Sequence, residues 1–492
     1  MMNTLVRWYI KRFNIELDQV RYDTPMVQQD ELEKILRSPL TQLLNPKVDS
    51  NSNSMEFKAN APITTYDYYS ESIEALMNSP NHRVEYYAQS SGTSGGAKKL
   101  VPTPESFVRA NHLRGSWYIL NTLYNTVPDM NVFKAKNLLI GGAIYERKDR
   151  FLIGDVSGIM LNRIPSFFRP FYIPTIAEAI LPDWTAKLEI TIHKASKSND
   201  VSLLAGVPTW VLAALAGVKR NIGAKKISDH WPQLKAYIHG GVSLTPYMRQ
   251  FQDLIDLPNF KFIEVYNATE GFFAIQDNPD EEGMLLLTKS GIYFEFIRYR
   301  DYASAGIEDI LDFEDVVLGE HYVLLVSTQS GLLRYIMGDI IQFVSIAPFK
   351  IKVAGRISEY INAFGEDLML WQVEEALYKI CDQHNVSVNH FTVGPKYLSV
   401  DEKGWHDWAI EFEHQPGDME TFAEVLDNEI QYINSNYAQK RYQSLALECL
   451  RIHPVEKGTF SKYLKNKGME GGQSKVKKLS NNRDVLDKIL IK

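Results

Sequence analysis

Residues 234–271 read LKAYIHGGVSLTPYMRQFQDLIDLPNFKFIEVYNATEG. The stretch opens with a short apolar and aromatic run that stops at the pair Gly240-Gly241. A helical pattern starts at Pro246 and ends near Leu257. A second apolar run, residues 260–266, ends in a Y-x-x-T-E-G turn from Tyr266 to Gly271. Strand, proline-led helix and strand make a βαβ unit, and such units build a parallel sheet. Ligands of these sheets sit beyond the carboxyl ends of the strands. Both Gly240-Gly241 and the Tyr266–Gly271 turn fall at such ends.

The same unit recurs upstream. Residues 137–142 form an apolar strand ending in glycines, and residues 201–206 another, followed by Pro208 and a helical pattern over 209–218. Residues 103–125 read as one helix, capped by Thr103 with Pro104 at its first position. Residues 1–80 read as helical and polar, with a loop at 49–60. From 291 to about 347 the pattern alternates in short runs, 321–327, 332–336 and 340–344, with Gly338-Asp339 at a turn. That is an antiparallel subdomain. After Gly355-Arg356 the chain reads as α+β, with helices near 367–380 and 419–436 and strands near 386–393 and 405–412. The expected fold class is α/β: a large N-terminal domain, residues 1–354, with βαβ units and the antiparallel subdomain, and a smaller α+β domain, residues 355–492. The boundary falls between Val353 and Arg356.

Composition narrows the function classes. A chain of 492 residues with 45% hydrophobic content can bury large cores. A net charge of -7 argues against a general nucleic-acid or membrane-surface binder. Two cysteines, Cys381 and Cys449, are too few for a disulfide framework and suit a reducing cytoplasm. Residues 4–13 lack the apolar core of a signal peptide. No zinc spacing of Cys or His occurs.

Residues 84–104 read VEYYAQSSGTSGGAKKLVPTP. A cluster of Ser, Thr and Gly is most often a surface turn. Residues 92–96 also match G-x-S-x-G, but a nucleophile elbow needs a helix directly after Ser94, and a short strand and two prolines follow instead. The Walker pattern fails at Ala97 and Lys99. A third reading is a loop whose N–H groups and hydroxyls wrap a polyphosphate, with lysines adding charge. Downstream, Tyr266 could stack on a nucleobase, Thr269 could bond a phosphate and Glu270 could hold Mg²⁺. The bland alternative is a capped turn with Glu270 solvated. Asp339 could accept from two ribose hydroxyls, although aspartate is common in turns for local reasons. The segment 457–478 carries seven lysines and one acid, Glu470. Such a run is usually a solvated face; its functional reading is a mobile cation that reaches a phosphate.

In this order the motifs resemble those of the adenylate-forming superfamily, and more closely those of the auxin-responsive Gretchen Hagen family, the acyl-acid amido synthetases. The residues that carry the likeness are 90–96, Tyr266 to Gly271, Tyr335-Ile336-Met337-Gly338-Asp339 and Gln473-Ser474-Lys475. The turn departs from the plant Tyr-x-Ser-Ser-Glu pattern, carrying Thr269 where the wider superfamily also has threonine. The resemblance implies ATP and Mg²⁺, with small carboxylic acids and amino acids as substrates. It implies that Ser90, Ser91, Gly92, Thr93 and Ser94 bind phosphates. Gly240, Gly241, Tyr266, Thr269, Asp339 and Arg356 would bind the nucleotide, with Glu270 on the metal. Lys475 would be the catalytic lysine of a C-terminal domain that rotates between half-reactions. An acyl-CoA ligase, a hydrolase acting through Ser94 and a catalytically silent nucleotide binder are the rival classes.

Overall fold

The structure is a computed structural model that describes residues 2–22, 24–79, 84–90, 99–148, 150–304, 306, 309–364, 366, 368–397, 403–441, 447–467 and 475–491. The chain starts with five helices: α1 (Met2–Tyr22), α2 (Thr24–Leu36), α3 (Pro39–Leu44), α4 (Ser54–Asn60) and α5 (Tyr66–Asn78). On α1 the apolar residues Val6, Ile10, Phe13, Leu17 and Val20 recur at three- and four-residue steps and are buried. They form one stripe of a 3.6-residue helix.

The strands up to Arg356 are β1 (Tyr86–Gln89), β2 (Leu100–Pro102), β3 (Lys136–Ile140), β4 (Ile144–Arg147), β5 (Leu152–Gly154), β6 (Tyr172–Ile173), β7 (Val201–Gly206), β8 (Ala236–Gly240), β9 (Lys261–Ala268), β10 (Gly271–Ile275), β11 (Met284–Leu286), β12 (Ile292–Arg298), β13 (His321–Thr328), β14 (Tyr335–Ile346) and β15 (Phe349–Arg356). Among the described residues, eleven of them form one sheet in the order β12-β13-β14-β15-β11-β10-β9-β8-β7-β3-β6. From β6 to β9 the pairings are parallel, as the βαβ reading requires, and from β9 to β12 they are antiparallel. The antiparallel part is therefore continuous with the parallel part, joined through β11, and not a separate layer. A second sheet, β2-β1-β5-β4, is not hydrogen-bonded to it but shares its core, Tyr87, Val101 and Ile153 clustering with Phe273 and Phe294.

Three local expectations need correction. The stretch 49–60 contains α4, where Asn53 and Glu56 form a reciprocal capping box. Phe57 is buried edge-on against Tyr293 and beneath the Arg334 guanidinium. A cap of about 1 kcal/mol and a buried Phe of roughly 2–3 kcal/mol outweigh the polar composition of the segment. The helix expected over 103–125 is two helices, α6 (Glu105–Ala110) and α7 (His112–Thr126), broken at Asn111. The Asn111 amide donates to the Phe272 and Ser290 carbonyls and accepts from the Phe272 N–H. Three buried hydrogen bonds, each worth about 1 kcal/mol, hold Asn111 out of helical geometry. Thr103 does not cap; its hydroxyl donates to the Val101 carbonyl. Lastly, Gly338-Asp339 lies inside one long strand, β14, at an irregularity in its pairing with β13, where Gly338 takes φ +81°.

The remaining strands are β16 (Tyr360–Ile361), β17 (Leu368–Met369), β18 (Ser387–Lys396), β19 (Trp405–His414) and β20 (Arg451–Val455). The last three make a sheet, covered by the helices Leu370–His384 and Met419–Ile433. A separate apolar cluster that begins at Ile361 and includes Trp408, Phe412, Phe422 and Tyr437 fills this part. Among the described residues no helix is long and apolar enough to cross a membrane.

Candidate active site

A cleft of about 2100 Å³ opens where β7, β8 and β9 end, and the C-terminal part closes one side of it. Each strand delivers its last residues to this rim. At the end of β8, a Cβ on Gly240 would lie 2.4 Å from the Val265 carbonyl oxygen, so the close approach of β9 already requires glycine there. Gly241 takes φ +81°, a conformation that glycine adopts without strain. At the end of β9 the chain reverses in a two-residue turn, Thr269-Glu270, and returns as β10 with Gly271 opposite Ala268. Tyr266 thus lies on a strand, and only Thr269 and Glu270 form the turn.

Asp339 and Arg356 sit opposite each other on β14 and β15. The Arg356 Nε donates to Asp339 at 2.9 Å, and the Tyr266 hydroxyl donates to the other Asp339 oxygen at 2.7 Å. Asp339 is only 4% exposed, so these two donors compensate a charge that burial would otherwise penalise. The Tyr266 ring packs on Phe273 with centroids 4.9 Å apart. Burial, and then the Asp339 charge, raise the Glu270 carboxyl above its ordinary range, with Lys99 and Arg356 opposing. The Tyr335 hydroxyl bonds Glu270, which ties the first residue of the Y-x-x-G-D motif to the Y-x-x-T-E-G turn.

Lys462, Lys465, Lys475 and Lys478 of the basic segment line the cleft, and three lysines near the end of that segment, Lys475, Lys477 and Lys478, differ in their contacts. Lys478 is ion-paired to Glu374 and lies over the Phe391 ring. The Lys477 carbonyl accepts from the Thr392 hydroxyl, which fixes its backbone against β18. The Lys475 ammonium alone among the three bonds the rim, donating to the Gly241 carbonyl. Lys475 is exposed as a residue, but the cleft walls strip water from its charged end, and this, together with the Arg356 charge, lowers its pKa to about 8. Two sequence-distant motifs, the glycine pair and the tail lysine, therefore meet.

Ser90 closes the base of its loop, donating its N–H to the Lys99 carbonyl at 2.9 Å. Ser91, Gly92, Thr93 and Ser94 lie outside the described residues. Ser90, Lys99, Gly240, Gly241, Tyr266, Thr269, Glu270, Asp339, Arg356 and Lys475 all line the one cleft. Sequence reasoning missed its apolar wall, which includes Trp117, Met160, Phe168, Trp184 and Trp210. It also missed His112 and His239, which line the cleft, are buried, and are held neutral by burial with pKa values of about 4. His239 precedes Gly240-Gly241, a weak signal; His112 had none.

Residues 15–195 match the GH3 family N-terminal domain, residues 285–356 the GH3 family central domain and residues 371–484 the GH3 family C-terminal domain. Over 533 residues the chain is 23% identical to indole-3-acetic acid-amido synthetase GH3.4 of Arabidopsis thaliana, covering 91% of this chain and 87% of that protein. It is 28% identical over 246 residues to jasmonoyl–L-amino acid synthetase JAR4 of Nicotiana attenuata, covering 46% of this chain and 41% of that protein. Its fold is similar to that of the GH3.15 acyl acid amido synthetase solved with 2,4-DB, with a TM-score of 0.79 at 17% identity over 96% of this chain and 94% of that one. It is also similar in fold to 2-hydroxyisobutyryl-CoA ligase in its postadenylation state, with a TM-score of 0.59 at 11% identity over 94% and 90% of the two chains.

Proposed function

The chain belongs to the GH3 family, and on that footing we propose that it is an ATP-dependent ligase joining a small carboxylic acid to an amino acid through an acyl adenylate. The observation that carries this reading is the meeting of Gly241, Asp339, Arg356 and Lys475 around one cleft, although they lie far apart in sequence.

Two half-reactions follow. A carboxylate oxygen of the acid attacks the α-phosphorus of ATP, the bond to the β-phosphate breaks, and pyrophosphate leaves. The amine nitrogen then attacks the acyl carbon, the carbon–oxygen bond breaks, AMP leaves with that oxygen, and the nitrogen gives up a proton. No side chain is covalently modified, so the protein contributes positioning and charge. Asp339 would accept from the ribose hydroxyls with the lone pairs that Tyr266 and Arg356 leave open, and Tyr266 would stack on adenine. Ser90 and residues 91–94 would wrap the β- and γ-phosphates, with Thr269 beside them. The 1–354 and 355–492 division would let Lys475 move between steps.

Mg²⁺ fits the residues present. Among the described residues no group of three or more metal-ligating side chains gathers. A cation carried by ATP needs only one or two carboxylates, because phosphate oxygens and water complete its shell. Glu270, buried beside Asp339 and raised in pKa, is a carboxylate whose ionised form a cation would favour. The ion would neutralise charge on the phosphates; Glu270 would hold it. Glu270→Gln is expected to raise the Mg²⁺ concentration for half-maximal pyrophosphate release about tenfold or more. An unchanged Mg²⁺ titration would remove that role.

The Lys475 ammonium gives a pH prediction. With a pKa lowered to about 8, it is charged below that pH and loses its proton as pH rises through it. Adenylation should therefore fall above about pH 8. Amine transfer from a supplied acyl adenylate should not share that limb. Lys475→Arg, whose guanidinium stays charged, should move the limb upward. A limb at the same pH in Lys475→Arg would assign it to another group.

The function is tested by screening pyrophosphate release across aryl and aliphatic acids, with and without amino acids and coenzyme A. Acid-dependent release with amide formed from an amino acid supports the ligase. Thioester formation in preference to amide would make it an acyl-CoA ligase. Nucleotide binding without release would leave a silent binder.

A further inference from the structure

Helix α1 carries a row of exposed apolar side chains on the face turned away from its buried stripe. Trp8 is 74% exposed, Ile15 66% and Tyr22 78%, and Met26 on α2 extends the row at 72%. The three α1 residues are seven apart, so they form one line along the helix with a drift of about 20° per step. Lys11 and Asp18 lie exposed between them, so a partner for this face must match charge as well as apolar surface.

We propose that this face is a self-association surface, on which a second copy of the chain docks with its α1 antiparallel and a two-fold axis at Ile15. The order of the row is symmetric about that residue, with Trp8 seven positions before it and Tyr22 seven after. An antiparallel pair therefore sets Ile15 against its own copy and each Trp8 near the partner's Tyr22, as a self-complementary two-fold interface requires. The charges agree. On this face Lys11 precedes Ile15 and Asp18 follows it, whereas Arg7, Glu16 and Arg21 are held by Met130, Arg114 and Asp277 of their own chain. Antiparallel packing brings Lys11 beside the partner's Asp18; parallel packing would set like charge on like. At the Tyr22 end a mostly polar groove of about 140 Å³ lies between α1 and α2, where Met26 and Val27 sit beside Asp30, Glu31, Lys34 and Lys289; under this symmetry the partner's Trp8 meets its Met26 edge. A buried tryptophan is a typical anchor of such contacts. The row is only about 21 Å long, from the helical rise of 1.5 Å per residue. An interface of that length is small, so the dimer is expected to dissociate on the order of 10 µM.

Sedimentation velocity of the full chain from about 1 to 200 µM tests this, bracketing that dissociation constant. The expected result is a reversible monomer–dimer equilibrium that Trp8→Glu or Ile15→Glu weakens at least about tenfold. Ile15→Cys should crosslink two copies on mild oxidation, beyond any crosslinking of the parent protein through Cys381 or Cys449. Asp18 also pairs with Arg21 in its own chain. The diagnostic is therefore the combination: Lys11→Glu and Asp18→Lys each weaken the dimer, and together they restore it. Acid-dependent pyrophosphate release should be unchanged in these variants, which shows that they fold. A wild-type monomer across the whole range overturns the proposal. So does a dimer indifferent to Ile15→Glu. Trp8-dependent binding of a monomer to phosphatidylcholine–phosphatidylserine vesicles would also overturn it, making the row a lipid-facing surface.

Discussion

Replacing Lys475 by alanine is expected to lower ATP-dependent adenylation by about 10³-fold or more, yet leave a supplied acyl adenylate able to react with amine. Negative charge accumulates around the α-phosphate in the first step. The residues at the rim that face it include two carboxylates, Glu270 and Asp339, so an added cation has a large effect in this low-dielectric setting. Arg356 cannot substitute, because its guanidinium is committed to Asp339. Lys478 cannot either, because Glu374 holds it. After pyrophosphate has left, the same charge does less for attack at the acyl carbon. Single-turnover measurement of each half-reaction separates the outcomes. Equal loss of both would make Lys475 structural. Unimpaired adenylation would move the role to another lysine.

Asp339→Asn is expected to lower kcat/KM for ATP by roughly 10²- to 10⁴-fold. Two hydrogen bonds from ribose to a charged carboxylate are each worth about 1.5–3 kcal/mol. The variant also leaves Arg356 without its ion pair, so a loss of activity alone would not identify the cause. Deoxy analogues of ATP do. Wild-type protein should discriminate strongly against 2′-deoxy- and 3′-deoxy-ATP, and Asp339→Asn should treat them almost like ATP. If the variant discriminates as strongly as wild type, Asp339 does not contact the ribose.

Much of the fold was legible because local signals and the global fold agree. The run Val201–Gly206 is a strand, and the proline after it starts a helix, where its missing N–H costs nothing. The carboxyl-end rule then located the cleft, since Gly241 and the Thr269-Glu270 turn both line it. What failed to show were features set by distant partners. Gly338-Asp339 has the composition of a turn, and only its pairing with Arg356 makes it part of a strand. Asn111 breaks a helix because the sheet offers it three hydrogen bonds, from residues more than 150 positions away. Lys475 and Lys478 look alike in sequence; Glu374, about a hundred residues earlier, tells them apart. The apolar wall of Trp117, Trp184 and Trp210 has no motif, because any large apolar side chain could line it.

The path of one oxygen atom tests the acyl adenylate most directly. The acid is supplied with ¹⁸O in its carboxylate, together with ATP and an amino acid, and the products are weighed by mass spectrometry. Attack at the α-phosphorus makes a carboxylate oxygen the bridge to AMP, and cleavage at the acyl carbon leaves it there. One labelled oxygen in AMP, with unlabelled pyrophosphate, is the expected result. ADP with labelled orthophosphate would mean attack at the γ-phosphorus and an acyl phosphate instead, and would contradict adenylation by this chain.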